Sequence, residues 1–191
     1  MRLPTIAFMS VLAGALICTA TAFAHAENVA DFFRNPAPDA RPQVAAIPRE
    51  TVDYNGPYAP GTILISTSER RLYYILPGRQ ALKYGVGVGR PGFEWAGVRS
   101  IIGKREWPDW TPPPQMLRRR PDLPRHMAGG IDNPLGARAM YIGGTLFRIH
   151  GSNEPDTIGQ AVSSGCIRMT NDDVIDLFNR VKVGTRVVVL R

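Results

Sequence analysis

The chain has 191 residues, of which 44% are hydrophobic, and its formal net charge is +7 at pH 7. This length and composition predict one domain with a substantial core and a shorter appended segment. No recognisable nucleic-acid-binding motif accompanies the basic surplus, which argues against nucleic acid as a partner.

Residues 1–26 have the pattern of a secretory signal peptide. Arg2 is the only charged residue before Glu27, residues 6–22 are almost wholly apolar or small, and the AHA sequence at 24–26 has the small-x-small form of a cleavage site. We therefore predict cleavage after residue 26 and no stable membrane span afterwards. An uncleaved membrane anchor is the alternative, because the apolar run is near the lower limit for spanning a bilayer.

Loss of Arg2 with the signal leaves 22 basic and 16 acidic residues, a net charge of +6. For an exported protein this surplus favours an anionic surface outside the cytoplasm, such as a cell-wall polymer with free carboxylates or a membrane face. A solvated basic surface with no specific partner is the alternative.

Residues 27–59 are predicted to be a linker rich in Pro and Ala. Pro36, Pro38, Pro42 and Pro48 are spaced too closely for a long helix, so the segment is expected to be extended. Wrapping of this segment onto the domain surface is the alternative.

Residues 60–191 are predicted to form an α+β domain that is mainly β. Strand-like segments rich in Ile, Leu, Val and Tyr recur between turns, at 62–66, 71–76, 81–88, 98–104, 137–142, 146–149 and 185–190. Thr170 and Asp173 have the spacing of a capping box. They predict a core-packing helix of about eleven residues that ends near Gly184.

Two segments between these strands are predicted to be irregular. Residues 106–116, EWPDWTPPPQM, contain four prolines, and their Trp107, Trp110 and Met116 are expected to pack this loop against the sheet. A tryptophan that faces a ligand is the alternative. Residues 118–125, RRRPDLPR, are basic and interrupted by proline, which predicts an exposed loop.

Chemistry is predicted around Cys166, the only cysteine left after signal cleavage. It follows a Ser-Gly turn, and His150 ends an apolar strand sixteen residues earlier. A thiol with an ordinary pKa of about 8.5 is only slightly ionised at neutral pH, so a neighbouring imidazole would raise its reactive fraction. A buried, inert thiol is the alternative.

No acidic residue is an evident partner for the imidazole of His150. The carbonyl of Gly151 or Ser152 is therefore predicted to orient it. His126 has no cysteine or carboxylate at a metal-ligand spacing, which disfavours a zinc site built with His150 and Cys166. We predict no metal.

The residues around the cysteine suggest a substrate site. Gly165 lets the backbone approach an acyl group, and the N–H groups of Gly165 and Cys166 are predicted to form an oxyanion hole. Arg168 would lie on the same side of an extended backbone as Cys166 and could bind a substrate carboxylate. Hydrogen bonds from Arg168 to loop carbonyls are the alternative.

His150-Gly151 followed by the SGCIRM sequence at 164–169 resembles the signature of the L,D-transpeptidase catalytic domain, a family of bacterial peptidoglycan cysteine enzymes. The pieces FEWAG, KREWPDWTPPPQM and MAGGIDNPLGARAMY are also similar to its exported Gram-negative members. The resemblance covers about Pro60 to Arg191. One departure is Ser164, where many members have histidine, and in the family this position contributes mainly backbone.

The resemblance implies an L,D-transpeptidase-like β-sandwich in the periplasm, with no metal or organic cofactor. It implies that Cys166 forms a thioester with the third residue of a stem tetrapeptide, releases D-alanine, and passes the acyl group to another stem to give a 3→3 cross-link. His150 would act as base and then as acid, Gly151 would orient it, and Arg168 would position the substrate.

Other outcomes of the same site stay open at this point. A protein amine as acceptor would attach an envelope protein to peptidoglycan, and water as acceptor would make an L,D-carboxypeptidase or endopeptidase. A different class is a non-catalytic wall-binding module, which the presence of both Cys166 and His150 disfavours.

Overall fold

A computed structural model of the chain describes residues 47–191. The predicted signal peptide and residues 27–46 of the predicted linker lie outside the described residues. The strands are β1 (Glu50–Asp53), β2 (Ile63–Ser66), β3 (Arg71–Leu76), β4 (Gln80–Gly85), β5 (Val88–Gly89), β6 (Gly97–Glu106), β7 (Arg138–Ile142), β8 (Arg148–His150), β9 (Ala161–Ser163), β10 (Ile167–Arg168) and β11 (Arg186–Leu190). The helices are α1 (Pro114–Arg119), a 3₁₀ turn at Pro155–Thr157, and α2 (Asn171–Arg180).

Nine of these strands form one sheet, in the order β1-β4-β3-β2-β11-β6-β7-β8-β10, and β5 pairs with β9. Most neighbours are antiparallel, but β11 is parallel to β2, and β10 is parallel to β8. The core is formed by buried side chains from the sheet and α2, including Ile63, Ile65, Met140, Ile149, Val187 and Leu177. This architecture confirms the predicted mainly-β α+β class.

The helix α2 carries the predicted cap. The Asp173 N–H donates to the Thr170 Oγ1 at 3.2 Å, which satisfies one of the free N–H groups of the first turn. At the other end, the Lys104 ammonium donates to the carbonyls of Phe178 and Val181 at 2.5 Å each. Val174 and Leu177 are fully buried, so the helix packs on the core as predicted. No helix within residues 47–191 is long and apolar enough to cross a membrane.

Three segments differ from their sequence-based predictions. Strand β1 lies inside the predicted linker and pairs with β4 along four residues, so the sheet begins upstream of residue 60. The predicted strand 81–88 is divided into β4 and β5, because Gly87 leaves the β4 edge to exchange backbone hydrogen bonds with Arg168. The predicted single strand is therefore two strands with different partners: β4 pairs with β1 and β3, and β5 pairs with β9.

The proline-rich segment is the third. Helix α1 begins at Pro114, so the prediction that residues 106–116 are wholly irregular was wrong. A proline is compatible with the first helical turn, because that N–H has no intrahelical partner. Trp110 is buried, but Trp107 is 45% exposed and does not pack as predicted.

Candidate active site

The parallel pairing of β8 with β10 brings the two predicted catalytic segments side by side. Arg168 lies opposite His150 in the register, and the Met169 N–H donates to the His150 carbonyl at 2.8 Å. Cys166 directly precedes β10. Burial alternates from Gly165 to Met169, with Cys166 and Arg168 half-buried and their neighbours buried. Cys166 and Arg168 therefore share one side of the strand.

Because residues opposite each other in a sheet share a face, the Cys166 side chain lies on the face of His150, one diagonal position away. Among the described hydrogen bonds, none joins the Cys166 sulfur to the His150 ring. The two groups share one face without a hydrogen bond between them, and a catalytic hydrogen bond is often long before substrate binds.

The imidazole of His150 is held in one tautomer. Its Nδ1 lies 2.6 Å from the Gly151 carbonyl oxygen. Since a carbonyl only accepts, Nδ1 carries the proton, and Nε2 of the neutral ring is left as a base. The residue is 4% exposed, and this burial lowers the pKa of His150 from 6.5 to about 4; nearby Arg168 and Arg148 add to the shift, while the hydrogen bond to Gly151 opposes it. The ring is therefore neutral at pH 7.

Gly151, whose carbonyl orients His150, packs against the start of α2. The Asn171 Oδ1 accepts the Ala137 N–H at 2.9 Å and packs against Gly136 and Gly151. A Cβ on Gly151 would overlap this amide oxygen and approach the Ala137 nitrogen to 3.0 Å. Glycine at position 151 is thus required by close packing.

The turn before Cys166 is held by hydrogen bonds from Ser163 and from a distant loop. The Ser163 Oγ accepts the Gly165 N–H at 3.1 Å and donates to the Cys166 carbonyl at 2.6 Å. The Trp95 Nε1 donates to the Gly165 carbonyl at 2.9 Å, and Arg90 donates to the Ser164 Oγ at 3.1 Å. Ser164 therefore uses its side chain here, as well as its backbone.

These bonds alter the predicted oxyanion hole. The Gly165 N–H, which the sequence analysis expected to face an acyl oxygen, is occupied by the Ser163 hydroxyl. Within the part of the chain that the structure describes, the Cys166 N–H has no acceptor. Of the two predicted donors, Cys166 is the one whose N–H is free to bind an oxyanion.

The conformation of Gly165 explains why this position is glycine. Its φ is +106°, in the region that side chains rarely adopt. A Cβ there would also overlap the Phe147 ring. Phe147 in turn stacks on Trp95, with ring centroids 5.2 Å apart and an interplanar angle of 15°.

Arg168 binds protein groups in this structure. Its guanidinium donates to the Glu154 carboxylate at 2.9 Å and lies 3.4 Å from the Thr157 hydroxyl. The Glu154 side chain is 55% exposed and the Arg168 side chain 24% exposed. A substrate carboxylate that reached Arg168 would compete with Glu154, a partner that the sequence analysis did not anticipate.

No hydrogen bond among the described residues links the His126 side chain to His150 or Cys166. Its Nε2 lies 3.7 Å from the Asp109 carboxylate in another loop. Across residues 47–191, no group of three or more His, Cys, Asp or Glu side chains is arranged to hold a metal ion.

Sequence reasoning missed Trp95, Arg90 and Ser163. Trp95 lies in the FEWAG piece that resembles the family, which was the only signal for it, and no role was assigned to it. Ser163 and Arg90 have ordinary residue types with no local pattern. The contacts of Arg90 and Trp95 with the turn join segments about 70 residues apart in sequence, whereas the Ser163 hydroxyl bonds Gly165 and Cys166 within the turn itself.

Comparison with known proteins gives concordant results. The family model "YkuD: L,D-transpeptidase catalytic domain" matches residues 60–189. "Probable L,D-transpeptidase ErfK/SrfK" of Escherichia coli is 42% identical over 137 residues, which is 67% of this chain and 43% of the relative. The chain thus spans less than half the length of that relative.

Two solved structures add to this picture. An L,D-transpeptidase from Mycobacterium smegmatis has a TM-score of 0.55 at 17% identity and covers 68% of this chain and 58% of its own, which shows a shared fold. A Brucella melitensis structure named "Probable carnitine operon oxidoreductase caia" is 46% identical, with a TM-score of 0.50, and covers 75% of this chain and 93% of its own. With a family model that spans most of its length, this chain belongs to the YkuD L,D-transpeptidase catalytic domain family.

Proposed function

We propose that the protein is a peptidoglycan L,D-transpeptidase in which Cys166 is the nucleophile and His150 the base. The observation that carries this proposal is the Nδ1 hydrogen bond of His150 to the Gly151 carbonyl. It leaves an unprotonated Nε2 on the face of the half-buried cysteine. Membership of the family supplies the substrate class, the stem peptides of peptidoglycan.

In the first half-reaction, the Nε2 of His150 takes the thiol proton. The thiolate then attacks the carbonyl carbon of the third residue in a stem tetrapeptide. The carbonyl oxygen becomes an oxyanion that accepts a hydrogen bond from the Cys166 N–H. When the tetrahedral intermediate collapses, the C–N bond to D-alanine breaks, the imidazolium protonates the leaving amine, and a thioester remains on Cys166.

In the second half-reaction, an acceptor amine attacks the thioester. His150 takes a proton from the amine, the new amide forms, and the sulfur leaves as a thiolate that is reprotonated. In this scheme Arg168 exchanges Glu154 for a carboxylate of the stem peptide. The reaction needs only side chains and backbone of this chain.

The name of the Brucella relative raises oxidoreductase chemistry as a second class. Residues 87–92, GVGRPG, match the G-x-G-x-x-G pattern of dinucleotide-binding loops. That pattern binds pyrophosphate when it leads from a strand into the N-terminus of a helix. Here β5 (Val88–Gly89) pairs with β9, and the chain continues into β6 with no helix between them. The local structure therefore favours acyl transfer.

We propose a periplasmic location on the pattern of residues 1–26. The N-terminus of the protein recovered from the periplasmic fraction should then begin at Glu27, as determined by intact mass. A full-length protein retained in the membrane fraction would contradict this proposal.

The activity is tested by incubating the purified protein with disaccharide-tetrapeptide and analysing the products by mass spectrometry. We expect dimers that have lost one D-alanine per cross-link. The Cys166→Ala variant should form none, and a carbapenem should add its mass to the wild type but not to this variant.

The other acceptors give distinct products. Tripeptide alone would indicate hydrolysis, and a stem peptide joined to a protein amine would indicate attachment of an envelope protein. Cross-linking or a carbapenem adduct in Cys166→Ala would contradict the proposed nucleophile. A wild-type protein that binds peptidoglycan without any acylation would be a wall-binding module.

A further inference from the structure

We propose that Trp95 is a positioning residue for the oxyanion donor: its indole N–H holds the Gly165–Cys166 peptide so that the Cys166 N–H binds the developing oxyanion. This inference rests on the proposed function, because an oxyanion forms only if Cys166 attacks a carbonyl. It assigns a role in the chemistry to a residue 71 positions from the nucleophile in sequence.

The Gly165–Cys166 peptide unit links the Trp95 indole to the oxyanion donor. The Gly165 carbonyl and the Cys166 N–H belong to the same planar amide, and in a trans amide they point in opposite directions. The Trp95 Nε1 donates to that carbonyl at 2.9 Å. A donor fixed at the oxygen therefore fixes the direction of the N–H on the other side of the plane.

The same hydrogen bond also strengthens the donor. A hydrogen bond accepted by an amide oxygen polarises the amide, and hydrogen bonds in such a chain reinforce one another. The Cys166 N–H is thus expected to donate more strongly to an oxyanion when the indole is in place. This effect is absent from reactions of the thiol that create no oxyanion.

Neighbouring bonds leave the Cys166 N–H as the free group. Of the four backbone polar groups of Gly165 and Cys166, the Ser163 hydroxyl binds two and Trp95 binds a third. Among these four groups, the N–H of Cys166 is the one without a hydrogen-bond partner in the described residues. Three of these backbone groups are therefore bound within the protein, and the Cys166 N–H is the one that can donate to a substrate.

The indole is itself held in place. It stacks on Phe147, the ring that lies against the Cα of Gly165. The loop that carries Trp95 is joined to the strand before the turn, since the Arg90 N–H donates to the Ser163 carbonyl at 3.0 Å. The Trp95 indole is therefore held in place relative to the turn, which a positioning residue must be.

The test compares two reactions of the same sulfur in the full mature chain. Acylation by imipenem passes through an oxyanion, whereas alkylation by iodoacetamide does not; both are followed by intact mass. For Trp95→Phe, which keeps an aromatic ring and loses the N–H, we expect acylation to slow about tenfold, with alkylation within about twofold of the wild-type rate.

Trp107→Phe is the matched control, since it makes the same change at an exposed tryptophan outside the site, and neither rate should change. Replacement of Trp95 by β-(3-benzothienyl)alanine removes only the N–H donor. If Trp95→Phe does not fold, the acylation and alkylation rates of this variant provide the same test. Equal acylation rates in wild type and variants, or an equal fall in acylation and alkylation, would overturn the role of Trp95. A wild type that is alkylated but never acylated would instead overturn the proposed function.

Discussion

The two halves of the site are built in different ways. His150 is the last residue of a strand in the nine-stranded sheet, is nearly fully buried, and is oriented by the carbonyl of the next residue. Cys166 follows an irregular turn and is half-buried. Its conformation depends on side-chain hydrogen bonds from Ser163 and Trp95.

This difference indicates how substitutions would affect each half of the site. His150, the proposed base, is fixed by backbone pairing and burial in the core. The turn that carries Cys166, the proposed nucleophile, depends on a few polar contacts and on one glycine with positive φ, so a change at one of its central contacts alters its geometry. We therefore expect substitutions at the base to act on proton transfer and those at the turn to act on acyl geometry.

The largest expected effect is on the base half. In His150→Ala, imipenem acylation at pH 7 should fall by about 10²–10⁴-fold, because the thiol loses the group that takes its proton. Alkylation by iodoacetamide above pH 9 should remain close to wild type, because hydroxide can then take the thiol proton in place of the imidazole. Stopped-flow and intact-mass kinetics measure both rates.

His126→Ala is the matched control for that experiment, since His126 is exposed and contacts only Asp109 among charged partners in the described chain. Its acylation rate should equal that of the wild type. Retention of full acylation in His150→Ala would exclude His150 as the base.

On the nucleophile half, Gly165→Ala should destabilise the fold. The substitution combines an unfavourable φ with overlap of the Phe147 ring, and together these should lower the free energy of unfolding by roughly 2–5 kcal/mol. Urea denaturation measures this loss.

Gly184→Ala separates the two causes. Gly184 also has a positive φ, +93°, but nothing lies within 4 Å of an added Cβ. Its substitution should cost only about 1–2 kcal/mol, which is the strain alone. Equal losses in the two variants would mean that contact with Phe147 is not what requires glycine at position 165.

The pH dependence of stability sharpens the contrast further. The pKa of His150 is lowered from 6.5 to about 4 by burial, so below pH 6.5 the unfolded chain binds a proton that the folded chain does not. This contribution to the free energy of unfolding is fully present above pH 6.5 and is lost as the pH falls toward 4. Urea denaturation at a series of pH values should show a steeper loss over this interval in wild type than in His150→Gln. Parallel profiles would contradict a buried, neutral imidazole.

The smallest expected effect is at Ser164. Ser164→Ala removes the hydroxyl that accepts a hydrogen bond from Arg90, but both residues are only half-buried and the turn keeps its bonds to Ser163 and Trp95. We expect less than about a threefold change in acylation, equivalent to under about 0.7 kcal/mol. A loss comparable to that of Trp95→Phe would mean that Arg90 is as important to the turn as the indole.

The sequence predicted the elements whose signals are local. Strand β3 and the hairpin from β7 to β8 follow from segments rich in Ile, Leu, Val and Tyr between turns, and the start of α2 follows from Thr170 and Asp173. Cys166 and His150 stood out because of their residue types, and Gly151 as a carbonyl beside His150 was one of two predicted partners. These inferences needed only neighbours along the chain.

Other features depended on contacts between distant segments. The pairing of β1 with β4 overrode a proline-rich composition. The ion pair of Arg168 with Glu154 and the hydrogen bond from the Trp95 indole to the Gly165 carbonyl also join separate segments. Residue type and spacing carry no information about which of several donors reaches a given acceptor.

By itself, the sequence determined the mainly-β class and the residue types able to carry out thiol chemistry, because hydrophobic periodicity and side-chain reactivity are properties of short stretches of chain. The tertiary structure alone decided which imidazole nitrogen is free and which backbone N–H of the turn is left without a partner. Both depend on the exact backbone conformation around His150 and around the turn before Cys166, and that conformation is settled only when the strands pair and the core closes.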